Sequence, residues 1–185
     1  MKDWAQEEDD KYSWLYENGY PIGNPMRIVN KYGLLKEQSC IDLGCGRACL
    51  STYFVSYVGI DVSKYIIDHN KKTRSGDYFH ASLDRLSDIS LSRSYFDVAI
   101  CSDVMEHIPE VEVCNVLSSI SSLDVKNFYF AISTRKSGYL DKNKQNLHLS
   151  VFSSEKWKSL LSKFFSIENE DKIPDLYTVK CARLD

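Results

Sequence analysis

Two carboxylates, Asp42 and Asp61, each sit at the end of a short apolar run, in SCIDL and YVGIDV. Runs of this kind read as buried parallel strands, and parallel neighbours would set both acids beside one crevice. Between them Gly44 and Gly46 supply a tight turn, where bare backbone lets a ligand approach without a Cβ in the way. A carboxylate suits two tasks there. Asp61 can accept hydrogen bonds from both oxygens of a vicinal diol, and Asp42 can hold a cationic group directly or through water.

A second constellation follows in YFDVAICSDVMEHIP, where Ser102, Asp103, Glu106 and His107 come after an apolar run, and His148 lies further on in LHLSVF. Two chemistries compete for these groups. Asp103, Glu106, His107 and His148 could form an oxygen-and-imidazole site for Mg²⁺ or Mn²⁺. Alternatively Glu106 and His107 shape a pocket floor without metal, and His107 or His148 acts as base or substrate contact. The metal-free reading is favoured.

The elements that must position these residues can be read in order. Trp4 to Asn18 reads as an amphipathic helix stopped by Gly19. Pro21 to Pro25 reads as a loop, and Met26 to Tyr32 as a second helix stopped by Gly33. Strands are expected at Cys40–Leu43, Tyr57–Val62, Asp77–Ser82, Phe96–Cys101 and Asn127–Ser133, with a final antiparallel pair at Ile167–Glu170 and Tyr177–Leu184 around Pro174 and Asp175. Helices are expected over Ala48–Ser56, clipped to about two turns, from the cap Ser63 to Lys72, over Glu110–Leu123, and from the cap Ser153 through Phe165. His80 reads as a strand residue rather than a ligand. The polar stretch Thr134–Asn146 is long enough to form a functional lip.

The spacing Asp42-x-Gly44-x-Gly46-x-Ala48 differs from the dinucleotide fingerprint Gly-x-Gly-x-x-Gly. It resembles the first motif of the class I S-adenosylmethionine-dependent methyltransferases, and Asp103-Val-Met-Glu106-His107-Ile resembles the block after their fourth strand. The resemblance implies a Rossmann-like α/β fold: a seven-stranded, mostly parallel sheet with helices on both faces and an antiparallel last strand. It implies S-adenosylmethionine as cofactor and S-adenosylhomocysteine as product. Asp42, Gly44, Cys45, Gly46, Asp61, Val62, Ser82, Leu83, Asp84, Cys101 and Ser102 are then the expected cofactor residues, with Ser82 or Asp84 facing the adenine. Asp103, Glu106, His107 and His148 are the expected catalytic residues. The small-RNA 3′-end and ubiquinone-pathway O-methyltransferases have a similar Glu-x-x-Glu-His pattern with a metal role; here Asp103 replaces the first glutamate. In such families leading helices often lie over the cofactor mouth; a helix merely covering the sheet edge is the plainer expectation.

At 185 residues the chain suits a single domain over 1–185, with 1–33 as a helical lead-in. A net charge of −3 without long runs of one sign marks no nucleic-acid or anionic-membrane surface, though a local basic patch for RNA is not excluded. The six cysteines show no Cys-x-x-Cys pair and read as free thiols. The polar start and the lack of a long apolar run point to the cytoplasm. The Asn/Asp-Pro-Pro-aromatic block of the adenine- and cytosine-amine methyltransferases is missing after the fourth apolar run, where Ser102-Asp103-Val104-Met105 stands instead. A small polar acceptor (sugar, nucleotide or metabolite) is therefore expected. The alternatives are a metal-assisted RNA 2′-O-methyltransferase and a cofactor-binding regulatory subunit without turnover. Oligomeric state is left open.

Overall fold

The computed structural model describes residues 4–21, 23–91 and 93–184. Met1, Lys2 and Asp3 of the expected lead-in and Ile22 of the expected loop lie outside the described residues, as do Ser92 and Asp185.

Seven strands form one sheet: β1 (Ser39–Leu43), β2 (Ser56–Asp61), β3 (Asp77–His80), β4 (Phe96–Ser102), β5 (Val125–Ser133), β6 (Phe165–Ile173) and β7 (Leu176–Arg183). Their order is β3-β2-β1-β4-β5-β7-β6. Strands β1 to β5 pair in parallel; β7 runs antiparallel to β5 and to β6. The chain moves outward in one direction from β1 to β3, then returns to the other side of β1 for β4. That reversal opens a crevice at the carboxyl ends of β1 and β4, where open α/β sheets bind ligands.

The pleat divides the apolar residues between the two faces. Ile41, Leu43, Phe128 and Phe130 pack with helices α4 (Val113–Ser121) and α5 (Ser154–Leu161) through Val116, Leu117, Trp157 and Leu161. Cys40, Val98, Ile100 and Tyr129 pack on the other face with α2 (Met26–Tyr32) and α3 (Lys64–Thr73) through Ile28, Val29 and Ile67. Gly33 stops α2 in the left-handed conformation, and the Ser63 hydroxyl caps α3 by accepting the Ile66 N–H.

Several boundaries differ from the expectation. Instead of a helix over Ala48–Ser56 there is one 3₁₀ turn, Cys49–Thr52. Ala48 adopts a positive φ of 51°, which an α-helix cannot contain, and Ser56 is already paired to Ser39 in β2. The helix expected through Phe165 ends at Leu161, because Phe165 pairs with Arg183 and is buried in the sheet. Strand β3 stops at His80, before Ser82, and β2 stops before Val62. Glu110–Glu112 is a 3₁₀ turn ahead of α4. Strand β6 is longer than expected and forms one edge of the sheet, with its charges paired: Glu168 to Lys180 at 2.6 Å, Glu170 to Lys158 at 2.7 Å, and Lys172 to Glu155 at 3.2 Å.

Helix α1 (Trp4–Glu17) docks on α3 by polar contacts. Asp9 accepts the Lys64 N–H at 2.9 Å and faces His80 Nε2 at 3.1 Å, while Ser13 and Ser63 share a hydroxyl bond of 3.0 Å. That anchorage lays α1 across the carboxyl ends of the strands. It covers the crevice, not merely the sheet edge. No helix among the described residues is long and apolar enough to cross a membrane.

Candidate functional site

The turn after β1 is built around its glycines. Gly44 and Gly46 have φ of 77° and 49°, in the region that disfavours side chains. A Cβ on Gly44 would stand 2.4 Å from Val104 Cγ2, and one on Gly46 would stand 2.9 Å from the Tyr16 hydroxyl. The Gly44 and Cys45 N–H groups donate to the Ile60 carbonyl at 2.8 and 2.9 Å, fastening the turn to β2. Gly44→Ala should destabilise the fold by about 1–2 kcal/mol from the left-handed backbone alone, with the Val104 clash in addition. Chemical denaturation of G44A and of G44A/V104A tests this. The double variant should recover the clash but not the backbone cost; equal stability of G44A and wild type would refute it.

Asp61 closes the ring of contacts. Its Oδ2 accepts the Gly46 N–H and its Oδ1 the Ser63 N–H, each at 2.9 Å. Burial pushes its carboxyl up to about 6 against the lowering effect of those two bonds. Asp42 is buried under the turn and accepts the Tyr57 hydroxyl at 2.7 Å; burial pushes it up to about 7. The adjacent strands therefore do bring both acids to one crevice.

Two clefts meet there. The first, about 600 Å³ and open to solvent, is lined by Asp61, Val62, Ser82, Leu83, Val104 and Ile108 beneath Tyr12 and Tyr16. The second, about 1100 Å³, is lined by Asp42, Gly44, Cys45, Gly46, Ser102 and Arg47, and on its far side by Arg135 and His148. Gly44, Tyr16, Tyr20, Asp103 and His107 line both. Asp84 is outside these walls and accepts the Ser82 hydroxyl. Cys101 is in the core on the face of α4 and lines neither cleft.

The second constellation forms a layer at the mouth of β4. Asp103, at φ 57°, is ion-paired to Arg27 and accepts the Ser102 hydroxyl at 3.2 Å. Glu106 is fully buried: its Oε1 accepts the Ser133 N–H at 3.0 Å and its Oε2 has no partner. Burial, with Asp103 nearby, pushes Glu106 up to about 8. His107 Nδ1 lies 2.6 Å from the Tyr12 hydroxyl and 3.0 Å from the Leu147 carbonyl. Burial drives that imidazole down to about 3, so it is neutral. His148 Nδ1 meets the Arg135 carbonyl at 2.5 Å, and burial lowers its basicity also.

A leading helix over the cofactor mouth was one of the two expectations for α1, but the tyrosines that form this roof were not singled out. Tyr12 and Tyr16 lie one above the other on α1, and Tyr20 follows beyond Gly19; rings 12–16, 16–20 and 20–139 meet at centroid distances of 6.4, 5.8 and 5.8 Å. The i, i+4 spacing of Tyr12 and Tyr16 was the available signal. The arginines of the larger cleft, Arg27, Arg47 and Arg135, carried no motif.

No curated protein sequence matches the chain. Among solved structures it is similar to a protein of Pyrococcus horikoshii OT3 (TM-score 0.66, 16% identity, covering 86% of this chain and 89% of that one). It is similar to a 1,6-didemethyltoxoflavin-N1-methyltransferase of Burkholderia thailandensis, with bound 1,6-didemethyltoxoflavin and S-adenosylhomocysteine (TM-score 0.62, 15% identity, 87% and 76%). It is also similar to the magnesium protoporphyrin IX methyltransferase of Synechocystis PCC 6803 with bound S-adenosylmethionine (TM-score 0.59, 16% identity, 100% and 86%). At these identities the likeness shows the fold. A family model described as a methyltransferase domain matches residues 17–167, most of the chain and both motif blocks. The chain belongs to the class I S-adenosylmethionine-dependent methyltransferase family.

Proposed function

We propose that this enzyme moves the methyl group of S-adenosylmethionine to an oxygen or nitrogen of a small polar acceptor in the cytoplasm, with 1–185 acting as one domain. The observation that carries the reading is the junction of two clefts at a bare Gly44–Gly46 turn flanked by two buried carboxylates. The residues fit the cofactor. Val62, Leu83, Val104 and Ile108 offer an apolar slot for a purine, with Ser82 at its rim. Asp61 keeps lone pairs beyond its two main-chain bonds for the ribose hydroxyls. Asp42 and Arg47 supply opposite charges where the amino and carboxylate groups of the methionine end would lie.

The cofactor supplies an electrophilic methyl on sulfur. The chain aligns the acceptor with it and excludes water from the path. Ser102, Asp103, His107, Arg135 and His148 wall the acceptor end. The Arg27–Asp103 pair fixes the near wall, and Tyr16 and Tyr20 roof it.

Calorimetric titration of the full chain with S-adenosylmethionine, followed by transfer of labelled methyl to panels of small hydroxyl and amine acceptors and to RNA, tests this. Micromolar cofactor binding with turnover on a small acceptor is expected. Turnover on RNA alone would replace the acceptor class, binding without any turnover would favour the regulatory reading, and no binding by folded protein would overturn the proposal.

A further inference from the structure

We propose that Glu106, His107 and His148 form a binding site for one divalent transition-metal ion of the Zn²⁺, Co²⁺ or Mn²⁺ kind, facing the larger cleft. This goes beyond the methyltransferase reading and reverses the metal-free preference of the sequence analysis. One potential ligand atom from each of the three residues lies within 4.8 Å of the others. Three features beyond proximity point to a cation.

The first is Glu106 itself. It is completely buried, and the oxygen not used by the Ser133 N–H has no hydrogen-bond partner. A buried carboxylate oxygen without a partner costs free energy that a cation would recover. The second is the orientation of the imidazoles. Both Nδ1 atoms sit on main-chain carbonyls, His107 on Leu147 and His148 on Arg135. A carbonyl can only accept, so Nδ1 carries the hydrogen in each ring and Nε2 is left as a lone pair. The Tyr12 oxygen then shares the His107 hydrogen as a second acceptor. Carbonyl-anchored histidines with a bare Nε2 are the arrangement by which proteins aim imidazoles at metals.

The third is rigidity. The Glu106 carbonyl accepts the N–H groups of Leu149 and Ser150 at 2.8 and 2.9 Å, and the Ser150 hydroxyl donates to the Ile108 carbonyl at 2.6 Å. The segment carrying His148 is thereby pinned to the turn carrying Glu106 and His107, which are 42 and 41 residues away in sequence. The two rings stand at 87° with centroids 4.7 Å apart.

Asp103 is outside the cluster of ligand atoms, and its Oδ2 is engaged by Arg27 and Ser102. Two imidazoles and one carboxylate suit a borderline transition metal, whereas Mg²⁺ and Ca²⁺ prefer oxygen. Three protein ligands leave a coordination position open, and His107 and His148 both line the larger cleft. An oxygen of the acceptor has access to it.

The test uses untagged, chelator-stripped full-length protein, titrated with Zn²⁺, Mn²⁺ and Mg²⁺ by calorimetry and with Co²⁺ by visible absorption. About one equivalent of Zn²⁺ and a Co²⁺ ligand-field spectrum are expected, with no comparable Mg²⁺ binding. His148→Ala and Glu106→Gln should each weaken Zn²⁺ affinity tenfold or more. Cys114→Ser, which removes the exposed thiol, should leave it unchanged. His148 is only half-buried, so its variant remains informative if Glu106→Gln fails to fold by circular dichroism. Folded wild type that binds none of the transition metals, or binding unaffected by His148→Ala, would overturn the proposal. S-adenosylmethionine titrations on the same preparations separate that outcome from failure of the cofactor site.

Discussion

Asp61→Ala is expected to lower S-adenosylmethionine affinity by about 100-fold or more, since two hydrogen bonds to a charged carboxylate are worth about 1.5–3 kcal/mol each and about 1.4 kcal/mol is a factor of ten. The alanine also releases the Gly46 and Ser63 N–H groups, so part of the loss comes from a loosened turn. Asp61→Asn separates the two effects. Its amide oxygen retains one main-chain partner while its nitrogen opposes the other, and its uncharged head makes weaker bonds to hydroxyls, so its affinity should fall between alanine and wild type. The charge can be tested independently. Burial places the Asp61 carboxyl at about 6, and its ionised form is the better acceptor. Wild-type affinity should therefore rise as pH increases through about 6, whereas both variants should lose that component and keep only the rise that Asp42 contributes near 7. Calorimetry from pH 5 to pH 8 measures both quantities. Wild-type affinity in the alanine variant would remove Asp61 from the site.

Asp42→Asn is expected to make the ligand-free protein more stable, increasingly so as pH rises. Burial raises the folded carboxyl from 3.8 to about 7. Between those values the folded protein holds a proton that the unfolded chain has released. Stability contributed at low pH is consequently lost as pH rises through that window, at about 1.36 kcal/mol per pH unit. The window amounts to roughly 3–5 kcal/mol, complete above pH 7. Asparagine does not titrate, and its amide oxygen can still accept the Tyr57 hydroxyl. Urea denaturation at pH 4.5, 6 and 8 should show the two proteins diverging, with the variant ahead at pH 8. Parallel curves would mean that Asp42 ionises in the folded state as freely as in the unfolded one. The accompanying weaker cofactor binding would mark Asp42 as a residue that trades stability for function.

The central strands were legible because parallel strands buried on both faces are written as apolar runs, and the polar residues ending them necessarily reach the crevice. SCIDL, YVGIDV and FDVAICSD each show this pattern. The 48–56 segment was misread because Leu50 and Phe54, both buried, have the spacing of a helix face. Their burial comes instead from a 3₁₀ turn held between a left-handed Ala48 and the start of β2. Phe165 likewise continued a helical pattern, but the sheet claimed it. Which residues of the roof touch the site could not be read in this way. Tyr12 reaches His107 across 95 positions, and Ser133 reaches Glu106 across 27. Such contacts follow from how the layers stack, which local periodicity does not encode. The orphaned oxygen of Glu106 belongs to the same class, since a carboxylate lacks a partner only with respect to a finished interior.

The two margins of the sheet determine how the protein behaves when crowded. A row of unpaired main-chain groups invites a strand from another molecule. Here one margin, β3, is only four residues long. The other, β6, has Glu168, Glu170, Asp171 and Lys172 within nine residues. An incoming strand at β6 would have to desolvate those charges or break the ion pairs that hold them to Lys180, Lys158, Lys31 and Glu155. Fibrillar growth by edge addition is therefore disfavoured at both ends, so the high concentrations needed for calorimetry should not convert this sheet into a polymer.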